Sequence, residues 1–298
     1  RDIRWSLVTG VQTCALPIYV KAEATLANLD EDTIWYGSAA ASEFHDMDWL
    51  RTHLPDDGSV SLRSLTNDWT ILVLAGPKSR DVLSAVARGD WSARAFPWLS
   101  VRRAFVGIAP AVVMSVSFSG ELAYEIHVPN NQLHAAYLAL RNAGKVHGLR
   151  LFGSRAVESM RLEKGYRQWK ADLITEFGPV ESGLDRFVKA DKPNFVGKAA
   201  LEAQMAKGPR RRFVSLVIEC SHAPAHGGDS ILSNGTCIGT VTSGGWGYRT
   251  GKNIAMGFVD PDFAEIGTPL SVEVIGEAVA ACVVDPCLHD PQNELMRA

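Results

Sequence analysis

No stretch of this chain approaches the roughly 20 consecutive apolar residues that a membrane-spanning helix requires, so no membrane partner is expected. Charge of one sign is scarce as well. The formal net charge is -3 over 298 residues, and the isoelectric point of about 6.3 does not point to nucleic acid or an anionic surface as a partner. The cysteines are few and odd in number: Cys14, Cys220, Cys237, Cys282 and Cys287. None forms a C-x-x-C pair, which leaves no support for a metal site or a disulfide framework. That usage fits a reducing compartment and a cytoplasmic location. Neither G-x-G-x-x-G nor G-x-x-x-x-G-K-[ST] occurs, so no dinucleotide or P-loop signature is present. What the chain does have is a globular balance, 46% hydrophobic and 21% charged, enough for one large or two medium domains.

Residues 1–18, RDIRWSLVTGVQTCALPI, carry no clear period. The run SLVTGVQTCALPI looks like a translated sequencing adapter. On that reading the natural chain continues upstream of Tyr19, and Cys14 has no functional meaning. A signal peptide is the alternative, but Asp2 spoils a basic start, and Thr, Gln and Pro17 break the apolar run. The fold reading therefore begins at Tyr19.

Tyr19 to Leu29 alternates apolar and polar residues and predicts a strand with Glu23 in its middle. Asp30-Glu31-Asp32 turns the chain into a partner strand from Thr33 to Tyr36. Ala41 to Leu54 predicts a helix with Ser42 as N-cap and Phe44, Met47, Trp49 and Leu50 as its apolar stripe. Strands are expected at Val60–Leu65 and Thr70–Ala75. A helix follows from Gly76-Pro77 to Ala87, then β-rich sequence from Phe105 to Phe118. A helix after Pro129 carries Leu133, Ala136, Tyr137 and Leu140 inward. The next helix, Ser154 to Tyr166, has Arg155, Glu158, Arg161, Glu163 and Lys164 on what reads most simply as a solvated face.

This mixture without strict βαβ alternation predicts an α+β domain with a largely antiparallel sheet body and packed helices, over residues 19–206. KGPRRR (207–212) reads as a basic linker. Beyond it, six short strand candidates with an Asn234-Gly235 hairpin turn predict a small all-β barrel or sandwich over 207–298. The glycine-rich TSGGWGYRTG (242–251) reads as a loop exposing Trp246, Tyr248 and Arg249, either simply mobile or a lid over a ligand.

VSFSGELAYEIHV (116–128) predicts strand, Ser119-Gly120 turn, strand, with Val116, Phe118, Tyr124, Ile126 and Val128 on one face. A carboxylate within an apolar strand is costly to bury unpaired. Glu125 is therefore either solvent-facing or bonded to a neighbouring arginine, or it faces a pocket and meets a cationic or N–H-rich ligand.

Four segments together resemble one family: Arg161–Lys189 (RLEKGYRQWKADLITEFGPVESGLDRFVK), Ser117–Ile126, Thr70–Leu83 and Gly239–Val259. In that order they are similar to the glycine-cleavage T-protein (aminomethyltransferase) superfamily. The match is closest to the folate-binding C-terminal region of dimethylglycine and sarcosine dehydrogenases. The resemblance covers Tyr19 to Pro291. It implies a body plus C-terminal barrel that bind tetrahydrofolate and transfer one carbon. An oxidised methyl, as an iminium or aminomethyl group of a small methylated amine, passes to folate and gives methylenetetrahydrofolate. The resemblance places the pterin-binding carboxylate on Glu125 and the catalytic carboxylate on Glu23. Phe118 and Tyr124, and the loop residues Trp246, Tyr248 and Arg249, fall near the folate. Two positions depart from the family: its pterin-side tyrosine is Phe118 here, and a folate-contacting arginine is Val157. Against the family pattern, this sequence lacks the first sheet segment and the FAD-binding oxidase domain of the dehydrogenases, and in the dehydrogenase reading a flavin oxidase domain upstream is the partner. A lipoyl carrier protein is the partner in the stand-alone transferase reading, and a non-catalytic folate-binding module is the third.

Overall fold

The structure, a computed structural model, describes residues 19–195 and 197–298. The adapter reading of residues 1–18 and Cys14 lie outside the described residues. Contacts divide the described chain into two units. One is Ala24–Gly153 with Gln292–Ala298, and the other is Ser154–Pro291 with residues 19–23. The helix beginning at Ser154 thus groups with the barrel, not with the sheet that precedes it in sequence.

In the first unit, β1 (Ala24–Asn28) and β2 (Ile34–Ser38) form the expected hairpin, with Asn28 opposite Ile34 at its closed end. Tyr19 to Glu23 stay outside the strand, so Glu23 immediately precedes β1. α1 (Glu43–Arg51) follows. Its predicted apolar stripe is only partly buried: Phe44 is 84% exposed and Met47, Trp49 and Leu50 are half-buried, whereas Asp46 is buried. The Tyr36 hydroxyl donates to Asp46 at 3.2 Å, and the His45 ring lies 3.0 Å from it, so hydrogen bonding sets which side turns inward. Ser42 stands at the N-cap position but makes no capping bond. The predicted Val60–Leu65 strand is absent; the run is largely exposed and has no ladder partner among the described residues.

β3 (Trp69–Ala75), α2 (Ser79–Val86), β4 (Val101–Val106), β5 (Ala109–Met114), β6 (Ala123–Pro129) and α3 (Leu133–Gly144) complete this unit. The sheet is antiparallel in the order β3-β6-β5-β4. Because side chains alternate across a strand, each strand serves two faces. On one face Leu74, Val106, Val113, Tyr124, Ile126 and Val128 pack with Leu83, Trp91, Phe96, Ala136 and Leu140 in the main core. On the other, Val112 and Met114 pack with Ala27, Trp35 and Trp69 beneath the β1–β2 hairpin. The strand expected through Val116 and Phe118 is not formed. β5 ends at Met114, and residues 115–122 connect it to β6 as irregular chain, with Gly120 at φ 75°.

In the second unit, α4 (Ser154–Lys164) and α5 (Lys198–Lys207) precede six strands. These are β7 (Arg212–Ile218), β8 (Ser230–Ser233), β9 (Thr236–Gly247), β10 (Lys252–Val259), β11 (Pro269–Val274) and β12 (Glu277–Val284). They close into a barrel in the order β10-β7-β12-β11-β8-β9, which leaves no sheet edge to guard. Leu216, Ile231, Val241, Val272 and Val283 fill it. Asn234 and Gly235, at φ 50° and 77°, make the β8–β9 turn anticipated from their sequence. The KGPRRR linker is better tethered than its composition suggests. Arg210, Arg211 and Arg212 reach Glu181, Asp260 and Asp185 respectively, and Arg212 already begins β7. Among the described residues no helix is long and apolar enough to cross a membrane.

Candidate functional site

The pleat of β6 decides what Glu125 can do. Its strand neighbours Tyr124 and Ile126 point into the core with no exposed surface. Glu125 and His127 therefore share the opposite face, where Glu125 lies across from Val73 on β3 and Met114 on β5, and His127 lies across from Ile71 and Val112. The carboxylate keeps 34% of its side-chain surface open, while the His127 side chain keeps 5%. The His127 Nε2–H donates to Glu125 Oε2 at 3.3 Å, and the Trp35 ring meets the imidazole edge-on with centroids 5.7 Å apart. No arginine pairs with Glu125 among the described residues; histidine does. Beside it, on the edge strand β3, Ile71 and Val73 are 48% and 51% exposed. The result is a partly open carboxylate on an apolar surface. An ionised carboxylate offers about four lone-pair directions, so one histidine contact leaves it free to accept from a donor pair.

Tyr124 does not join this face. Its ring lies in the core 6.1 Å from Phe96, and its hydroxyl is buried without a partner. Burial pushes its phenol up to about 12, against a smaller opposing pull from Arg80. β6 therefore separates Tyr124 from any ligand that Glu125 holds, which corrects its grouping with the folate contacts. Phe118 sits in the 115–122 connection and is 42% exposed. That segment is anchored where Gly76 N–H and Ser79 Oγ both donate to Leu122 O, at 2.9 and 3.0 Å.

The remaining four residues belong to the second unit. Glu23 is half-buried, and burial raises its carboxyl above the usual glutamate value. Just before it, Val20 packs with Trp169 and Leu173, and its N–H donates to Phe177 O at 3.0 Å. A carboxyl held in this way binds its proton more tightly than a solvated one. A cleft of about 330 Å³, lined by Tyr19, Thr175, Glu176, Phe177 and Arg210, contains none of the predicted site residues.

The loop reading of 242–251 needs revision. β9 runs through Gly247, and only residues 248–251 lie between it and β10. Trp246 is a half-buried strand residue opposite Asn253. Tyr248 is 81% exposed. Arg249 is committed: its backbone N–H and Nε donate to the two oxygens of Glu163 at 2.7 and 2.6 Å, and its Nη2 donates to Met160 O at 2.9 Å. The Thr250 N–H also donates to Glu163, at 2.7 Å. Ser159 Oγ donates to Trp246 O at 2.7 Å and accepts from the Tyr248 N–H. This turn is fastened to α4, not loose.

The charged face of α4 is consequently buried over its last turn, while Arg155 stays exposed and Glu158 half-buried. Arg161 and Glu163 have no exposed surface, and Lys164 keeps 4%. Arg161 Nη1 donates to Asp172 Oδ2 at 2.6 Å, and Arg161 also pairs with Glu158. Asp172 accepts further from the Gln168 N–H at 2.9 Å and from the Thr242 hydroxyl of β9. Lys164 pairs with Asp290 at 3.2 Å. The i,i+3 spacing of Glu158 and Arg161 was legible, but the acceptors that make burial tolerable lie far along the chain and leave no local signal. His127 was also passed over, although its position two residues after Glu125 places it on the same strand face.

Comparison with known proteins adds family context. The GCVT N-terminal domain model matches residues 18–192, and the glycine cleavage T-protein C-terminal barrel domain model matches 211–290. Mitochondrial dimethylglycine dehydrogenase of Homo sapiens is 32% identical over 267 residues, 89% of this chain and 31% of that protein. An aminomethyltransferase of Chlorobaculum tepidum is 32% identical over 274 residues, 91% of this chain and 74% of the relative. This chain thus spans about a third of the length of the dehydrogenase relatives and most of the length of that transferase. The glycine cleavage system aminomethyltransferase T of Bartonella henselae shares the fold, with a TM-score of 0.78 at 24% identity over 92% of this chain and 73% of the other.

Removing one member of the α4 network strands a buried charge. Asp172→Ala is expected to cost about 3–5 kcal/mol, and Arg161→Met combined with Asp172→Leu much less than that. Urea unfolding of the variants checks both.

Proposed function

The chain belongs to the glycine cleavage T-protein family, and on that premise we propose that it is a tetrahydrofolate-dependent one-carbon transfer module. Its donor is the oxidised methyl carbon of a methylated glycine-type amine, as an iminium or aminomethyl group. Its products are methylenetetrahydrofolate and the demethylated amine. The observation that carries this reading is the half-open Glu125 carboxylate on an apolar strand face.

The residues present fit a reduced pterin. The ring's 2-amino group and neighbouring ring N–H form a donor pair that a carboxylate accepts in bidentate, charge-assisted fashion. Exposed Ile71 and Val73 border Glu125 with the apolar surface that a flat ring requires. Tetrahydrofolate, when bound, supplies the ring nitrogen that receives the carbon. Glu23 is the proton acceptor as the carbon–nitrogen bond forms, and its burial-raised carboxyl matches a base better than a solvated glutamate does. Trp246 and Tyr248 are offered as aromatic surface at the folate entrance, with Arg249 as the anchor of their turn.

Oxidation of the amine falls to a flavin-bearing partner, and this chain spans 31% of the dehydrogenase relatives. A second reading, a stand-alone aminomethyltransferase served by a lipoyl carrier, draws on the larger coverage of the transferase relatives. It gains little from the 207–212 cations, because the three arginines there are already paired.

Glu125→Ala should abolish folate binding measured by calorimetry, and unchanged affinity would remove the pterin assignment. Glu23→Gln should lower turnover of an iminium donor far more than folate affinity. The wild-type rate should rise with pH through a midpoint above the usual glutamate value, because the base acts ionised; the Gln variant should lack that limb. Ionising a carboxyl of raised pKa costs stability as pH rises, so the same variant should be no less stable at neutral pH. Equal losses of rate and affinity would count against the base role.

A further inference from the structure

His127 carries an arrangement that surface burial alone does not require. It is 4% exposed, on a row that crosses the sheet from edge to edge and whose other members are Ile71, Val112 and Arg103. Arg103 is engaged with Asp30 of the β1–β2 turn at 2.8 Å. The ring packs edge-on against Trp35 of β2, which in turn meets Trp69 with centroids 4.9 Å apart. Among the described residues its polar partner is Glu125 Oε2, at 3.3 Å. An ionised carboxylate can only accept, so the proton in that bond sits on Nε2 of His127. The imidazole is fixed by an aromatic wall, and Glu125 leans on it.

We propose that His127 is the positioning residue for Glu125: the Nε2–H holds the carboxylate so that its remaining lone pairs face a 2-amino-pyrimidine edge. A glutamate side chain has three rotatable torsions, and orienting it before the ligand arrives lowers the ordering cost of binding. The selectivity for a ring bearing paired N–H donors then depends on a histidine that never touches the ring. This inference rests on the folate reading above and extends it to a residue not in the ligand shell.

The experiment measures the affinity of 5-formyltetrahydrofolate and of its 2-desamino-2-methyl analogue, which lacks one donor of the pair. Proteins compared are the wild type, His127→Phe, His127→Met, His127→Gln and Glu125→Ala. Phe keeps a ring against Trp35, and Met fills similar space; neither has an N–H donor. Both should weaken binding of the parent by about tenfold, the scale of one hydrogen bond to a charged group, and leave the analogue nearly unchanged. Discrimination between the two ligands should therefore collapse. Gln, which retains an N–H donor, should preserve most of it. A merely structural role would weaken both ligands equally, and that result, or full discrimination in both donor-free variants, would overturn the proposal. If Glu125→Ala itself kept wild-type affinity and discrimination, the folate reading would fall first. If Glu125→Ala lost them while the His127 variants did not, only the positioning role would fall.

Discussion

The two-residue period of β6 is the constraint on which the candidate site depends. It sends Tyr124, Ile126 and Val128 into a core shared with α2 and α3, and turns Glu125 and His127 to the other side of the sheet. A register slip of one residue would put a carboxylate and an imidazole into that core and a tyrosine and two aliphatic side chains onto the opposite face. The cost of burying an unpaired carboxylate and the lost core packing hold the register in place. Keeping Glu125 partly open and locking the strand in register are therefore the same act. The β1–β2 hairpin then covers much of the Glu125 face through Ala27 and Trp35, and exposed Ile71 and Val73 remain beside the carboxylate.

The second unit uses charge in the opposite way. There, Arg161, Glu163 and Asp172 are fully buried and each meets a charged partner, Arg161 with Asp172 and Glu163 with Arg249, so polar groups act as fasteners. Glu163 collects two backbone N–H groups and a guanidinium from the turn after β9, which fixes the chain just after Tyr248. One carboxylate on β6 is left partly unused and another on α4 is saturated. That contrast, not the residue type, separates a candidate ligand group from a structural one.

The barrel and the antiparallel sheet were legible because short alternating strands, an Asn-Gly turn and a helix after Gly76-Pro77 are local signals. All six barrel strands and the β1–β2 hairpin follow from them. The misreadings come mostly from contacts that leave no signal in the local pattern. The α4 face was read as solvated because the partners of Glu163 and Asp172 on β9 and the β9–β10 turn lie 70 to 87 residues away. The burial of Asp46 on α1 was missed because its partner, Tyr36, lies ten residues earlier on β2. Tyr124 was placed near the folate by the family resemblance, although the alternation that puts it on the face of Ile126 and Val128 turns it away from Glu125. Four segments in family order identified the family more firmly than any one residue did, as the matches to residues 18–192 and 211–290 bear out.

The claim at the centre is that the ligand face is the Glu125 side of β6. A crystal structure of the protein with 5-formyltetrahydrofolate tests it most directly. The account predicts the 2-amino group and adjacent ring N–H at about 3 Å from the two Glu125 oxygens. A pterin ring lodged elsewhere, such as the cleft formed by Tyr19, Phe177 and Arg210, with Glu125 still bonded only to His127, would contradict it.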